Sequence, residues 1–136
     1  MNVMVIILLI TQEMFQLKLD LPYNVPSHQA GSRKSRRGGW KTKHLESIQE
    51  LIEYEAINAM RGLKKIEGYF STKLKIGLKG KKHGDADNME KTIMDALEGI
   101  VFKNDKYGIQ MNRSYYYNEK PCIYISITPL EKQNKV

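Results

Sequence analysis

Asp85 and Asp87 stand two residues apart in a stretch that is otherwise basic, between Lys79-Gly-Lys-Lys-His83 and Lys91. In extended backbone, side chains two residues apart point to the same side, so the two carboxylates can converge on one spot. Like charges held close together need a cation, a shared proton or intervening water. Hard oxygen donors of this type suit Mg²⁺ or Mn²⁺, which keep several waters and accept phosphate oxygens. Lys91 lies near enough in sequence to stabilise charge developing on a phosphoryl group. A further carboxylate, Asp105, follows the next helical stretch, and only tertiary packing can bring it to Asp85.

Each of these residues also has a plain structural reading. Asp87, with Glu90 three residues on, fits a capping box in which Asp87 satisfies the free N–H groups of a helix. Lys91 is four residues from both Asp87 and Asp95, the spacing of ordinary helical ion pairs contributing about 0.2–0.5 kcal/mol each. Other chemistries fail on residue types. A calcium loop starting at Asp85 needs Gly where Glu90 stands and Glu where Ala96 stands. His28, His44 and His83 show no ligand spacing, and no phosphate-binding glycine motif is present. Cys122 is the single cysteine, which excludes an internal disulfide and cysteine-rich zinc sites. Its Ile-rich surroundings predict a buried, inert thiol, and a reducing cytoplasm is the expected setting.

The elements that must position these groups can be read from periodicity. Phe15 to Leu21 alternates apolar and polar residues, a strand closed by Pro22 and Pro26. Residues 22–39 form a loop carrying Arg33, Lys34, Arg36 and Arg37. From Trp40 to Leu63 the apolar residues Leu45, Ile48, Ile52, Ala56, Ala59 and Leu63 recur at helical steps. Tyr69 to Leu78 reads as a strand, followed by a basic turn with Lys79, Lys81 and Lys82. A second helix runs from about Asn88 to Phe102, with Met89, Ile93, Leu97 and Ile100 as its stripe. Two more strands follow, one through Ile109, Met111 and Tyr115–Tyr117, the other from Cys122 to Thr128, joined by a turn at Asn118–Pro121. The order β-α-β-α-β-β predicts an α+β single domain, a small mixed sheet with packed helices.

The chain has 136 residues, 22 Lys+Arg against 15 Asp+Glu and a net charge of +7. That length suits one domain, and the charge favours a polyanionic partner, nucleic acid before membrane. The apolar residues 1–10 are shorter than the roughly 20 needed to span a bilayer, and lack the flanks of a secretory signal. Residues 1–13 are expected to be an extension outside the fold, preceding a second plausible start at Met14; the alternative is an extra strand. The domain is expected over 14–130, with a polar tail at 131–136.

Gly84-Asp85-Ala-Asp87-Asn88-Met-Glu-Lys91-Thr-Ile-Met-Asp95-Ala96-Leu97, then Gly99-Ile-Val-Phe-Lys-Asn-Asp105, resembles the RusA family of Holliday junction resolvases. The shared pattern is D-x-D-N-x-x-K, an Asp-Ala-Leu helix and an acidic turn after an apolar end. The resemblance implies that Asp85, Asp87 and Asp105 are catalytic carboxylates holding Mg²⁺ (or Mn²⁺) and that Lys91 is the catalytic lysine. Asn104 departs from the pattern, since many members carry two aspartates at that turn. The resemblance further implies a homodimer, whose two sites nick opposing strands of a four-way junction. Arg33, Lys34, Arg36, Arg37, Lys79, Lys81 and Lys82 are expected to grip the DNA backbone. Tyr115–Tyr117 and the final hairpin are candidates for the dimer contact. The expectation is a metal-dependent endodeoxyribonuclease resolving branched DNA in recombination and repair, without membrane association. The alternatives are a non-catalytic basic nucleic-acid-binding protein, or a metal-dependent nuclease for flaps or RNA.

Overall fold

Alternation at the start of the chain sets the first strand: Phe15 and Leu17 are buried while Gln16 and Lys18 face out. The structure, a computed structural model, describes residues 15–27 and 39–130. The expectations for residues 1–13, Met14, His28, the basic run Arg33–Arg37 and the tail 131–136 lie outside the described residues.

Strand β1 (Phe15–Asp20) leads to helix α1 (Gly39–Ala59), β2 (Phe70–Leu78), helix α2 (Ala86–Leu97), a 3₁₀ turn (Asp105–Tyr107), β3 (Gly108–Tyr117) and β4 (Cys122–Pro129). The architecture is α+β, two helices on one four-stranded mixed sheet of order β1-β4-β2-β3. Strand β4 is antiparallel to both β1 and β2, and β3 is parallel to β2. Each helix therefore lies in a crossover between parallel strands, the connection that parallel pairing requires.

The last two strands are not a hairpin. Strand β2 lies between β3 and β4, and the short 118–121 connection crosses its end, with Asn118 N–H donating to Leu78 O at 2.8 Å. The intervening strand satisfies backbone groups that a direct β3–β4 pairing would have used.

The register stacks apolar rows on the face that the helices cover. Leu17, Ile125, Leu74 and Arg113 form one row; Phe15, Ile127, Thr72 and Met111 form the next. Facing them, α1 supplies Ile48, Ile52 and Ala56, and α2 supplies Met89, Ile93, Ala96 and Leu97, all buried. Burying each such Ile or Leu contributes about 1.5–3 kcal/mol, so this face holds the molecule together. The opposite face carries Gln16, Lys73 and Asn112 in one row and Lys18, Tyr124, Lys75 and Ser114 in the next.

Two helix boundaries differ from the periodicity. Helix α1 ends at Ala59, and Leu63, past a turn with Gly62 at φ +78°, is exposed. Helix α2 starts at Ala86 and stops at Leu97, where a tight turn, closed by Gly99 N–H to Phe102 O at 2.7 Å, takes over. Gly99 adopts φ +89°, a conformation open to glycine at little cost. The apolar run Ile100–Phe102 thus continues the helix in pattern but not in conformation. Phe102 packs instead on Phe70, with ring centroids 4.6 Å apart.

Candidate metal and DNA site

Helix α2 carries the chemistry on its outer side. Met89, Thr92, Ile93, Met94, Ala96 and Leu97 are buried, which leaves Asp87, Lys91 and Asp95 at successive turns facing away from the core. The helix is held in place by two polar ties. Thr92 Oγ1 donates to Pro26 O at 2.7 Å, and Gln49 Nε2 of α1 donates to Thr92 O at 3.1 Å. These fix the segment after β1 and the helix α1 against the inner side of α2.

Asp85, not Asp87, is the N-cap of α2. Its backbone is extended (φ −69°, ψ 150°) and its C=O accepts from Asn88 N–H and Met89 N–H, but its carboxylate makes no capping bond. Asp87 lies inside the first turn, where the positive end of the helix dipole favours an anion. The capping-box reading of Asp87 and Glu90 is therefore replaced: Glu90 pairs with Arg113 Nη1 of β3 at 2.6 Å. Neither the Asp85 nor the Asp87 carboxylate makes a hydrogen bond or ion pair among the described residues, and both residues are exposed.

The turn after α2 returns the chain to the helix. Ile66 N–H donates to Val101 O and Lys103 N–H to Ile66 O, each at 2.8 Å, which pins the reversal. Asp105 then opens the 3₁₀ turn with its N–H donating to Glu98 Oε2 at 3.1 Å, and its carboxylate lies 3.8 Å from Lys91 Nζ. Asn104 caps that turn through its side chain, accepting from Lys106 N–H. This is a structural duty for the residue that departs from the family pattern, and it leaves Asp105 free to face α2.

Asp87, Lys91 and Asp105 line one shallow hollow of about 150 Å³, with Thr72, Glu90, Met94, Gly108 and Met111 completing its wall. Asp85, the N-cap two residues before Asp87, is not part of this lining. The tightest acidic group is a different one: Asp95, Glu98 and Asp105 present oxygens within 4.8 Å of one another. That group already contains a cation, since Lys91 Nζ donates to Asp95 Oδ1 at 3.1 Å. Its ammonium is held above its ordinary pKa, first by the Asp95 hydrogen bond and charge, then by Asp105 and Glu98, against partial desolvation. The Lys91–Asp95 pair is the one that helical spacing offers, whereas Glu98 carries no sign of its role in the sequence, because nothing local announces the reversal that brings it to Asp105.

The basic turn after β2 is built by a residue that sequence reasoning passed over. Asn24 Nδ2 donates to Lys79 O at 3.0 Å and to Lys82 O at 3.2 Å, and its Oδ1 accepts from Lys79 N–H at 2.8 Å. Lys79, Lys81 and Lys82 are exposed on this stapled turn. Ser27, the last described residue before the basic run, packs on Gly84, where a Cβ would come within 2.9 Å of Ser27 Cβ. His83 takes a packing role: its ring lies 5.6 Å from Tyr115 and 5.9 Å from Tyr117. Cys122 is half-buried beside Tyr116, whose hydroxyl lies 3.3 Å from its Sγ, so the thiol is less enclosed than its Ile-rich surroundings predict.

Two carboxylates without counter-charges among the described residues, a third facing an ammonium, and lysines on a braced turn suit a phosphodiester-cleaving nuclease. Comparison with protein families narrows that class: the family of endodeoxyribonuclease RusA matches residues 22–128. The chain belongs to the RusA endodeoxyribonuclease family, Holliday junction resolvases that depend on divalent metal. Among curated proteins, none matches the chain. Among the described residues no helix is long and apolar enough to cross a membrane.

Proposed function

We propose that this protein resolves four-way DNA junctions by paired nicks, with Mg²⁺ held by Asp85, Asp87 and Asp105 and with Lys91 as the catalytic lysine. The observation that carries the reading is the meeting of Asp87, Lys91 and Asp105 in one hollow, from the first half of α2 and the turn beyond it. The donor set fits a hard divalent cation: exposed carboxylates, two of them lacking any partner among the described residues. When bound, the cation supplies an activated water and neutralises charge on the phosphoryl oxygens. Mn²⁺ offers the same chemistry.

The chain's own residues do the rest. Lys91 presents an ammonium whose proton is held firmly by Asp95, so it acts as a fixed positive charge toward the phosphate or the leaving oxygen. Asp95 sets the direction of that side chain. Lys79, Lys81 and Lys82 on their turn, with Arg33, Lys34, Arg36 and Arg37, contact backbone phosphates to either side of the cut.

Two nicks at a junction of two-fold symmetry call for two sites related by a dyad. Strand β3 suits a contact with a second copy. It is a ten-residue edge strand with little cover on either face, and exposes Ile109, Met111, Tyr115, Tyr116 and Tyr117. A long apolar edge of this kind pairs with another chain unless something covers it.

The test is cleavage of a labelled synthetic four-way junction in Mg²⁺ or EDTA, beside a linear duplex of the same sequence. Symmetric paired nicks that need both metal and junction are expected. A gel shift without nicks, unchanged by Mg²⁺, would instead establish a binding protein.

A further inference from the structure

Thr72 is a buried polar residue in a mainly apolar face. It sits on β2 between Ile127 of β4 and Met111 of β3, on the side covered by the helices, and is 4% exposed. Its hydroxyl is the one buried side-chain oxygen or nitrogen among the described residues with no hydrogen-bond partner. Thr92 and Ser126 are also buried polar residues, yet neither leaves such an atom. An orphaned buried hydroxyl is destabilising, whereas an apolar side chain of the same shape would not be. Valine has that shape and is favoured in strands.

The position of Thr72 supplies a reason for the hydroxyl. Thr72 is part of the wall of the hollow shared by Asp87, Lys91 and Asp105, and is nearly fully buried there. Met94 and Met111 line the same hollow, and Met111 is the register partner of Thr72 on β3. The hydroxyl is shielded in the free protein, and methionine is unbranched and readily changes rotamer, so access to it would call for a shift of a lining side chain such as Met111.

We propose that Thr72 is a positioning residue of the nuclease site, whose hydroxyl hydrogen-bonds an oxygen brought into the hollow with the divalent cation, a water of its hydration shell. This rests on the metal-nuclease reading above. A cation that keeps several of its waters offers several such oxygens, and a donor-acceptor hydroxyl in the wall fixes the orientation of one. The cost of the orphan in the free protein is then offset on loading, so metal binding and folding stability are linked through this residue.

The experiment compares wild type, Thr72→Val and Thr72→Ser by thermal unfolding with EDTA and with Mg²⁺, and by junction cleavage. Thr72→Val is expected to melt a few degrees higher than wild type in EDTA, because the orphan is gone. It should gain less from Mg²⁺ than wild type does, and cut on the order of tenfold more slowly. Thr72→Ser should restore both the Mg²⁺ increment and most of the rate. A Thr72→Val protein that matches wild type in Mg²⁺ increment and in cutting overturns the inference, as does one that melts lower in EDTA while keeping the increment. Asp87→Asn serves as the reference for the site itself. If wild type cuts, Asp87→Asn does not, and Thr72→Val behaves as wild type, only the role of Thr72 fails. If wild type neither cuts nor gains stability from Mg²⁺, the nuclease reading fails first.

Discussion

The Lys91 ammonium lies 3.8 Å from the Asp105 carboxylate although the last turns of α2 and a full chain reversal separate them in sequence. The same ammonium is tied at 3.1 Å to Asp95, one turn along its own helix. Local helix spacing thus aims the lysine, and tertiary packing delivers the acid it faces.

Replacing Lys91 with alanine separates these roles. The side chain is about half exposed, and ion pairs of that kind are worth about 1 kcal/mol at most, so the melting temperature should barely move. Cutting should fall on the order of a hundredfold, as when one preorganised charge donor is removed from a transition state. Junction affinity should stay close to wild type. A large loss of affinity with the rate of bound complex intact would make Lys91 a phosphate clamp.

The pH dependence follows from the direction of the Lys91 shift. Hydrogen bonding to Asp95, then the charges of Asp95, Asp105 and Glu98, raise its pKa. A raised pKa in the folded state means a contribution that is complete below the unfolded value, about 10.4, and lost only as pH climbs through the higher folded one. No alkaline fall-off from Lys91 is therefore expected between about pH 7 and 9. A rate profile that drops there in wild type but not in Lys91→Arg would contradict this.

Much of this arrangement was legible in the residues. Alternation marks β1 and β4, the stripe Met89, Ile93, Leu97 marks α2, and D-x-D-N-x-x-K marks the family. Strand order was not legible, because the insertion of β4 between β1 and β2 depends on pairings that no local pattern records. The end of α2 was hidden for a related reason: Ile100–Phe102 keep a helical apolar spacing while Gly99 and the Phe70–Phe102 stack turn the chain. Glu98 joins Asp105 only through that turn. Asn24 and Thr72 have ordinary loop and strand identities, and their significance lies entirely in what they meet, or fail to meet, in space.

Two overlapping acidic groups are candidates to hold a cation, and substitutions distinguish them. Asp87 has no counter-charge among the described residues, while Asp95 and Glu98 share theirs with Lys91 and Asp105 N–H. Asp87→Asn should abolish Mg²⁺ binding by calorimetry and lower cutting by about a hundredfold or more, with junction binding kept. Glu98→Gln, which retains an acceptor for Asp105 N–H, should leave metal affinity within about threefold. The reverse ranking would move the metal to the Asp95, Glu98 and Asp105 group.

The exposed β3 edge gives a separate test. Ile109 is 49% exposed and makes no part of the buried core, so Ile109→Lys should leave the monomer fold intact by circular dichroism. A charged lysine on an edge strand opposes pairing with another chain. Sedimentation should show a shift from dimer to monomer, and junction products should shift from paired to single nicks. A variant that remains dimeric would place the contact elsewhere.

Asn24 links the end of β1 to the basic turn, and its removal should affect DNA rather than chemistry. Its side chain makes hydrogen bonds to both ends of the 79–82 turn. Each is worth about 0.5–1.5 kcal/mol where buried and less on an exposed turn, so Asn24→Ala should cost roughly 1 kcal/mol of stability. The larger effect is entropic: a loosened turn must be ordered again on phosphate contact, at about 1 kcal/mol or more per residue fixed. Junction affinity should fall about tenfold, while the rate of metal-started cutting by saturated complex stays near wild type, because Asp87, Lys91 and Asp105 are untouched. The salt dependence separates this from loss of a charge. Lys81→Ala should flatten the slope of log affinity against log salt by about one ion, whereas Asn24→Ala should lower affinity at an unchanged slope, since every lysine is still present.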